Sequence, residues 1–417
     1  MNQSTDTARR ATAEKAGSYR WVILALNTGV QAAHACITTA VGTLAPFLIA
    51  DLGLTKAMIG MAGGAVNIGM SFTAVLAGRL ADKKGEKVVL VAGSLLTGIA
   101  IIITSQAASY STLLTLLILT GAGASTPTPA GSKTIQRWFP EAKLGFALGI
   151  RQTGIPLGGF FGALILPLVA ATWGWQAAMV TAGVLTIAGG VVYYFLYRES
   201  PAAQIESQNF RQKNTAGEWL FLRDINLWLV IFMSIIFIGA QFDMLTYLVL
   251  YLHDQVGLSV TVASACLAIT QLGGIVARIT LGFMSDTVFK GARKPALIIL
   301  GVIMTATVLS LTLFNPGMPF WVVAVVSWFF GVSAMGWNGI FVALAMKLAG
   351  KEHGGAVVGF CLMIMQIGVL VFPPLFGLLI DITGSYQSSW ITLAGAVLLG
   401  TLLIARVHEP GPETGRT

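Results

Sequence analysis

Four ionisable side chains, Arg151, Arg278, Asp243 and His34, stand inside long apolar stretches of a chain in which only 10% of residues are charged. A charge in the middle of a bilayer costs about 2.5 to 3.5 kcal/mol on insertion scales, so each is a candidate for function by default. Arg151 lies eight residues beyond Lys143, and Arg278 lies eight before Asp286. At 1.5 Å per residue both sit roughly 12 Å inside a common boundary. A guanidinium fork binds a carboxylate in a planar, bidentate manner that an ammonium cannot copy, so two forks at one depth suit an anion. Each arginine also has a plainer reading as a snorkelling or structurally paired side chain. Asp243, 17 residues beyond Asn226, is either a proton-coupling group or an acid in a wet cavity near the opposite surface. His34 either couples protons or is simply hydrogen-bonded. Asn27 and Gln31 share a helix face with His34 at i, i+4 and i+7. With Gln152, Trp337 and Asn338 they complete a candidate binding set.

The elements that must position these residues follow from composition. The chain has 417 residues, 55% of them hydrophobic, and a mean hydropathy of +0.79. Soluble domains carry about 25% charged residues, so this chain cannot clothe a water-exposed surface. Apolar stretches near the spanning length of about 20 residues follow one another with short polar breaks. Twelve spans are predicted, with an N-terminal tail over 1–20, six helices within 21–197, a linker over 198–225, six helices within 226–406 and a tail over 407–417. The net charge of +8 forms no nucleic-acid patch. Twenty-two of the 25 lysines and arginines fall in the tails and alternate breaks, whereas the other breaks hold Lys56 alone. This bias predicts that both termini and the linker face the cytoplasm, in a multi-pass protein of a bacterial inner membrane. Cys36, Cys266 and Cys361 lack metal spacing, and no HExxH, Gly-x-Ser-x-Gly or phosphate loop is present. The expectation is neither enzyme nor metal or cofactor binder.

Two short patterns recur at matching places. Gly78-Arg79-Leu80-Ala81-Asp82 after the second span returns as Gly282-Phe283-Met284-Ser285-Asp286 after the eighth, and Gln152-Thr153-Gly154 returns as Gln366-Ile367-Gly368. A duplicated six-helix unit is implied. The run from Gly78 through Asp82 and Gly85 to Lys87 resembles the loop signature of the major facilitator superfamily, with a weaker copy from Gly282 to Lys294. That resemblance implies two pseudo-symmetric six-helix bundles rocking about a midplane site, lined by helices one, four, seven and ten. It also implies that helix five packs near eight, and two near eleven. Gly78, Asp82, Gly85 and Asp286 then have a conformational role, with Asp82 facing the N-terminus of a neighbouring helix.

The surroundings of Arg278, from Gly273-Gly274 through Gly282 to Asp286, resemble the monocarboxylate and oxalate–formate exchanger branches, in which an arginine at this place binds the substrate carboxylate. The implied function is secondary active transport of a small mono- or dicarboxylate by a monomer in the lipid bilayer, either as proton symport or as exchange against a counter-anion. Two alternatives stay open: a proton-coupled exporter of drug-like solutes and a transporter-like membrane sensor.

Overall fold

The computed structural model describes residues 3–200, 224–289 and 291–409, with the side chains of 3–17, 141–142, 282–283, 285–287 and 351–356 outside the described set. Most of the expected linker and of the C-terminal tail therefore lies outside the described residues, as does the side chain of Asp286. Helices account for nearly everything described: α1 Gln3–Leu52, α2 Lys56–Lys84, α3 Glu86–Thr104, α4 Tyr110–Ala124, α5 Pro127–Trp138, α6 Glu141–Gln152, α7 Gly154–Leu196, α8 Ile225–Asp254, α9 Val260–Thr287, α10 Lys294–Leu311, α11 Phe320–Thr383 and α12 Tyr386–Arg406. α1 starts well before the expected span, because nothing between Gln3 and Ser18 other than Gly17 disfavours a helix.

Ten of the described helical runs are long and apolar enough to cross a membrane. One of them, Lys143–Leu196, turns a corner at Gly174 (φ 83°) and crosses twice. The stretch from Tyr110 to Trp138 crosses as two shorter helices, α4 and α5, because Pro127 and Pro129 remove N–H donors that a continuous helix needs. Twelve crossings result. α11 likewise bends back at Gly350 (φ 73°), so α7 and α11 each have two arms. Five starts carry side-chain caps, from Thr55, Ser109, Asp224, Ser259 and Ser385, each satisfying an orphan N–H of the first turn.

The duplication reappears in the backbone. Gly53 and Gly257, Gly85 and Gly291, and Gly174 and Gly384 all hold positive φ, in pairs 204, 206 and 210 residues apart. Each closes the same corner of its half, and that conformation is open to glycine at no steric cost. Close helix pairs join the halves, α2 with α11 and α7 with α9 among them. In α2, a Cβ on Gly64 would sit 3.2 Å from Val369 O in the second arm of α11, and one on Gly60 would strike Pro373 O. In α7, a Cβ on Gly159 would sit 2.5 Å from the Gln271 side chain of α9. Large apolar side chains such as Trp173, Phe195, Leu313 and Ile382 point outward, as a lipid-facing surface requires.

Candidate functional site

Between the halves lies a cavity of about 200 Å³. α1 contributes Gln31, His34, Thr38 and Thr39; α2 contributes Asn67 and Met70. The α4–α5 break supplies Ala124, Pro127 and Thr128, and α7 supplies Ile155. From the other half come Ile238, Gln241, Phe242 and Leu245 of α8, Gln271 and Arg278 of α9, and Met335 and Asn338 of α11. Among the described residues, Arg278 is the one on the lining with a permanent charge.

The placement of Arg278 follows from a proline. Pro156 has no N–H, so the Gln152 carbonyl four residues earlier loses its helical partner, and the chain breaks between α6 and α7. Arg278 Nη1 donates to that carbonyl at 3.0 Å, crossing from one half to the other, while Nε donates to Met335 O at 3.4 Å. Gln152 thus enters the site through its backbone, and its side chain is exposed.

Arg151 does not line the cavity. It is 2% exposed, and its fork is committed inside the first half: Nη1 donates to Gln31 Oε1 at 2.5 Å and to Pro127 O at 3.0 Å, and Nη2 to Ser132 Oγ at 2.9 Å. Rotation about the helix axis turns Arg151 behind Gln31. Its contribution to the cavity is indirect. By occupying Gln31 Oε1 it leaves the Gln31 amide N–H groups available as donors.

His34 lines the cavity and meets Ser94 Oγ through Nε2 at 3.0 Å. Ser94 Oγ also lies 2.9 Å from Leu90 O, and His34 Nδ1 is buried and without a hydrogen-bond partner. Asn338 Nδ2 donates to Gln241 Oε1 at 3.1 Å, which fixes two lining amides against each other. Asn27 lies behind the lining, donating to Ile23 O at 2.8 Å. Trp337 is fully buried, donates to Ala334 O at 2.9 Å and packs edge-on against Phe237 and Phe341. Asp243 is 1% exposed, lies off the lining and has no ion pair among the described residues. The structure thus brings together Arg278, Gln31, His34, Asn338 and the Gln152 carbonyl, and sets Arg151, Asn27, Trp337 and Asp243 apart.

Asn67 and Gln271 line the site without having been expected there, since an uncharged amide does not stand out from a sequence. Gln271 had a signal: it lies seven residues before Arg278, on the same face of the helix.

At the end carrying the basic loops, Asp82 accepts from Lys133 Nζ at 2.8 Å rather than facing a helix N-terminus. Lys133, in the last turns of α5, reaches back to the loop, and the carboxylate stays largely in water. The buried acid of this loop is Glu86, 2% exposed and held by Arg137 at 2.7 Å. Gly78 runs past Pro129, 3.8 Å from a Cβ built on it, and Gly85 holds φ 85°.

The sequence pattern of the Major Facilitator Superfamily matches residues 28–373. A probable sulfoacetate transporter, SauU of Cupriavidus necator, is 27% identical over 86% of each chain. The hexuronate transporter of Bacillus subtilis is 24% identical over 89% of this chain and 90% of its own. Among solved structures, the xylose transporter XylE from E. coli, in an inward-open conformation, superposes with a TM-score of 0.77 at 16% identity, covering 95% of this chain and 98% of that one.

Proposed function

This chain belongs to the major facilitator superfamily, and from that premise we propose that it carries a small organic anion by alternating access, with Arg278 as the anion-binding residue. The observation that carries the reading is one permanent cation on the cavity wall among the described residues, Arg278, held across the interface by the Gln152 carbonyl at the α6–α7 break. A carboxylate or sulfonate brings a full charge and can take two parallel bonds from the guanidinium, whereas the Gln152 carbonyl takes one, so an arriving anion outcompetes that carbonyl for the fork. Relatives named as sulfoacetate and hexuronate transporters support the same class. The cavity, about 200 Å³, lies below the roughly 300–1,000 Å³ usual for pockets that take drug-sized ligands, which supports a small substrate.

We also propose that the basic end faces the cytoplasm of a bacterial inner membrane, with both termini inside. Proton symport and anion exchange would use the same site, and a measurement separates them. Counterflow in proteoliposomes with a panel of carboxylates and sulfonates tests the whole reading, which no flux of any anion would overturn. Flux that follows an imposed proton gradient selects symport; flux indifferent to it selects exchange. Arg278→Lys is expected to lower anion affinity at least about 100-fold, because a point charge cannot make the bidentate pair. Unchanged affinity in that variant would make Arg278 structural.

A further inference from the structure

Gln31 and Arg278 reach the α6–α7 break from opposite halves, and both line the cavity. Arg278 Nη1 lies on the Gln152 carbonyl. Gln31 packs beside Gly154, where an added Cβ would sit 3.1 Å from that of Gln31, and meets Arg151 through Oε1. Arginine is a donor and never an acceptor, so the Gln31 atom it meets is the oxygen, and the amide nitrogen is left for the cavity. That nitrogen has no partner among the described residues and is not one of the polar atoms sealed off by packing. Arg151 itself is spent on Gln31, Pro127 and Ser132. A buried cation thus fixes the polarity of the neutral group in front of it.

Resting on the anion reading above, we propose that Gln31 Nε2 is a second donor to the substrate's anionic group, opposite Arg278, and that Arg151 is the positioning residue that holds the amide in that sense. The anion then joins the halves, accepting from a guanidinium of the second and an amide N–H of the first. Pairing with Arg151 also polarises the amide, because linked hydrogen bonds strengthen one another in a low-dielectric interior. A glutamine free to turn would offer its oxygen to the cavity as readily as its nitrogen. Here only the donor is left.

The test reads the half-saturating concentration in proteoliposome counterflow, with whichever of acetate, propionate, succinate and methanesulfonate gives the largest flux on the unmodified protein as the probe. Gln31→Met, close in shape, removes the donor and is expected to weaken the anion about tenfold. Gln31→Glu exchanges the amide nitrogen for an oxygen while keeping a partner for Arg151, and is expected to weaken it about 100-fold, since like charges then face each other. Unchanged affinity in Gln31→Met, or a loss in Gln31→Glu no larger than in Gln31→Met, overturns the inference; the anion reading stands if Arg278→Lys still weakens binding. Arg151→Lys should weaken binding severalfold in the parent and not at all in the Gln31→Met background, a result that a merely structural arginine would not give. Equal losses in the two backgrounds overturn its positioning role, and if Arg151→Lys fails to reach the membrane the two Gln31 variants decide. Absence of flux with all four anions and with the wider panel overturns both readings.

Discussion

The interface between the halves differs at its two ends. At the end opposite the basic loops, the start of α2 is tied to two elements of the other half: Lys56 Nζ pairs with Asp254 of α8 at 2.5 Å, and the N–H groups of Lys56 and Ala57 donate to Asp381 at the end of α11; within that half Tyr386 of α12 donates to the same Asp254. Tyr247 of α8 shares its hydroxyl proton between Lys56 O and Pro373 O. At the basic end, the pairs Lys133–Asp82, Arg137–Glu86 and Lys347–Glu409 each stay inside one half. The glycines repeat the contrast. A Cβ on Gly42, Gly60 or Gly377 would strike the backbone of the opposite half, whereas at Gly145 and Gly149 it would meet nothing within 4 Å. One end is locked and the other parted, and the crossing bond described between cavity and basic end is Arg278 to Gln152. A transporter caught this way shows where its energy difference between states must reside: in bonds that exist only when one end is shut.

The largest way to break that asymmetry is Gly60→Val. Overpacking costs about 1–3 kcal/mol where neighbours can yield, but here the obstacles are a backbone carbonyl and a tyrosine that is itself bonded on both sides. The halves must part at that end. Because about 1.4 kcal/mol is tenfold in a population, the closed fraction should fall roughly tenfold or more, with counterflow falling alongside. A Gly149→Cys reporter labelled by a membrane-impermeant maleimide from the basic side measures it, since Cys36, Cys266 and Cys361 are all buried. Labelling that continues at the original rate in Gly60→Val would contradict the locked-end interpretation.

A smaller effect is expected for Asp381→Ala. This carboxylate caps α2 from the other half, so its two bonds count only while that end is closed. Loss of a cap is worth about 1 kcal/mol, or close to fivefold in the ratio of states. Thr55 still caps α2 from within, so the helix itself persists. The Gly149→Cys reporter should therefore slow about fivefold without loss of the folded protein from the membrane; a protein that instead disappears would show the cap to be structural.

Much of this was legible from the residues, and the misses share a cause. Spacing gave the twelve crossings and the duplicated halves. It did not give rotation, and rotation decides that Arg278 faces the cavity while Arg151 faces Gln31, Pro127 and Ser132. Pro156 already implied a free Gln152 carbonyl, but nothing in the sequence of α6 said that its partner would come from α9. Asn67 was not singled out because its place on the cavity lining is a property of packing. Asp381 carried no signal in the sequence, since its role depends on the start of α2, more than 300 residues earlier.

The smallest effect sharpens the comparison from the basic end. Glu409 accepts from the N–H groups of Arg293 and Lys294 and from Lys347 Nζ, so it caps α10 much as Asp381 caps α2, but from within its own half. Burial pushes its carboxyl up, and the bonds to Lys347 and the two backbone N–H groups more than offset this, leaving it below the ordinary carboxylate range. A depressed carboxyl stabilises above its unfolded value, about 4.3, and that contribution disappears as pH falls through the lower folded value. Glu409→Gln should therefore lower the melting temperature near neutral pH, by an amount corresponding to about 1 kcal/mol for a lost cap, and the difference from the parent should vanish in acid. Labelling at Gly149→Cys should not change at all. A change there would mean that a bond confined to one half also biases the two states, and the distinction between crossing and internal caps would fail.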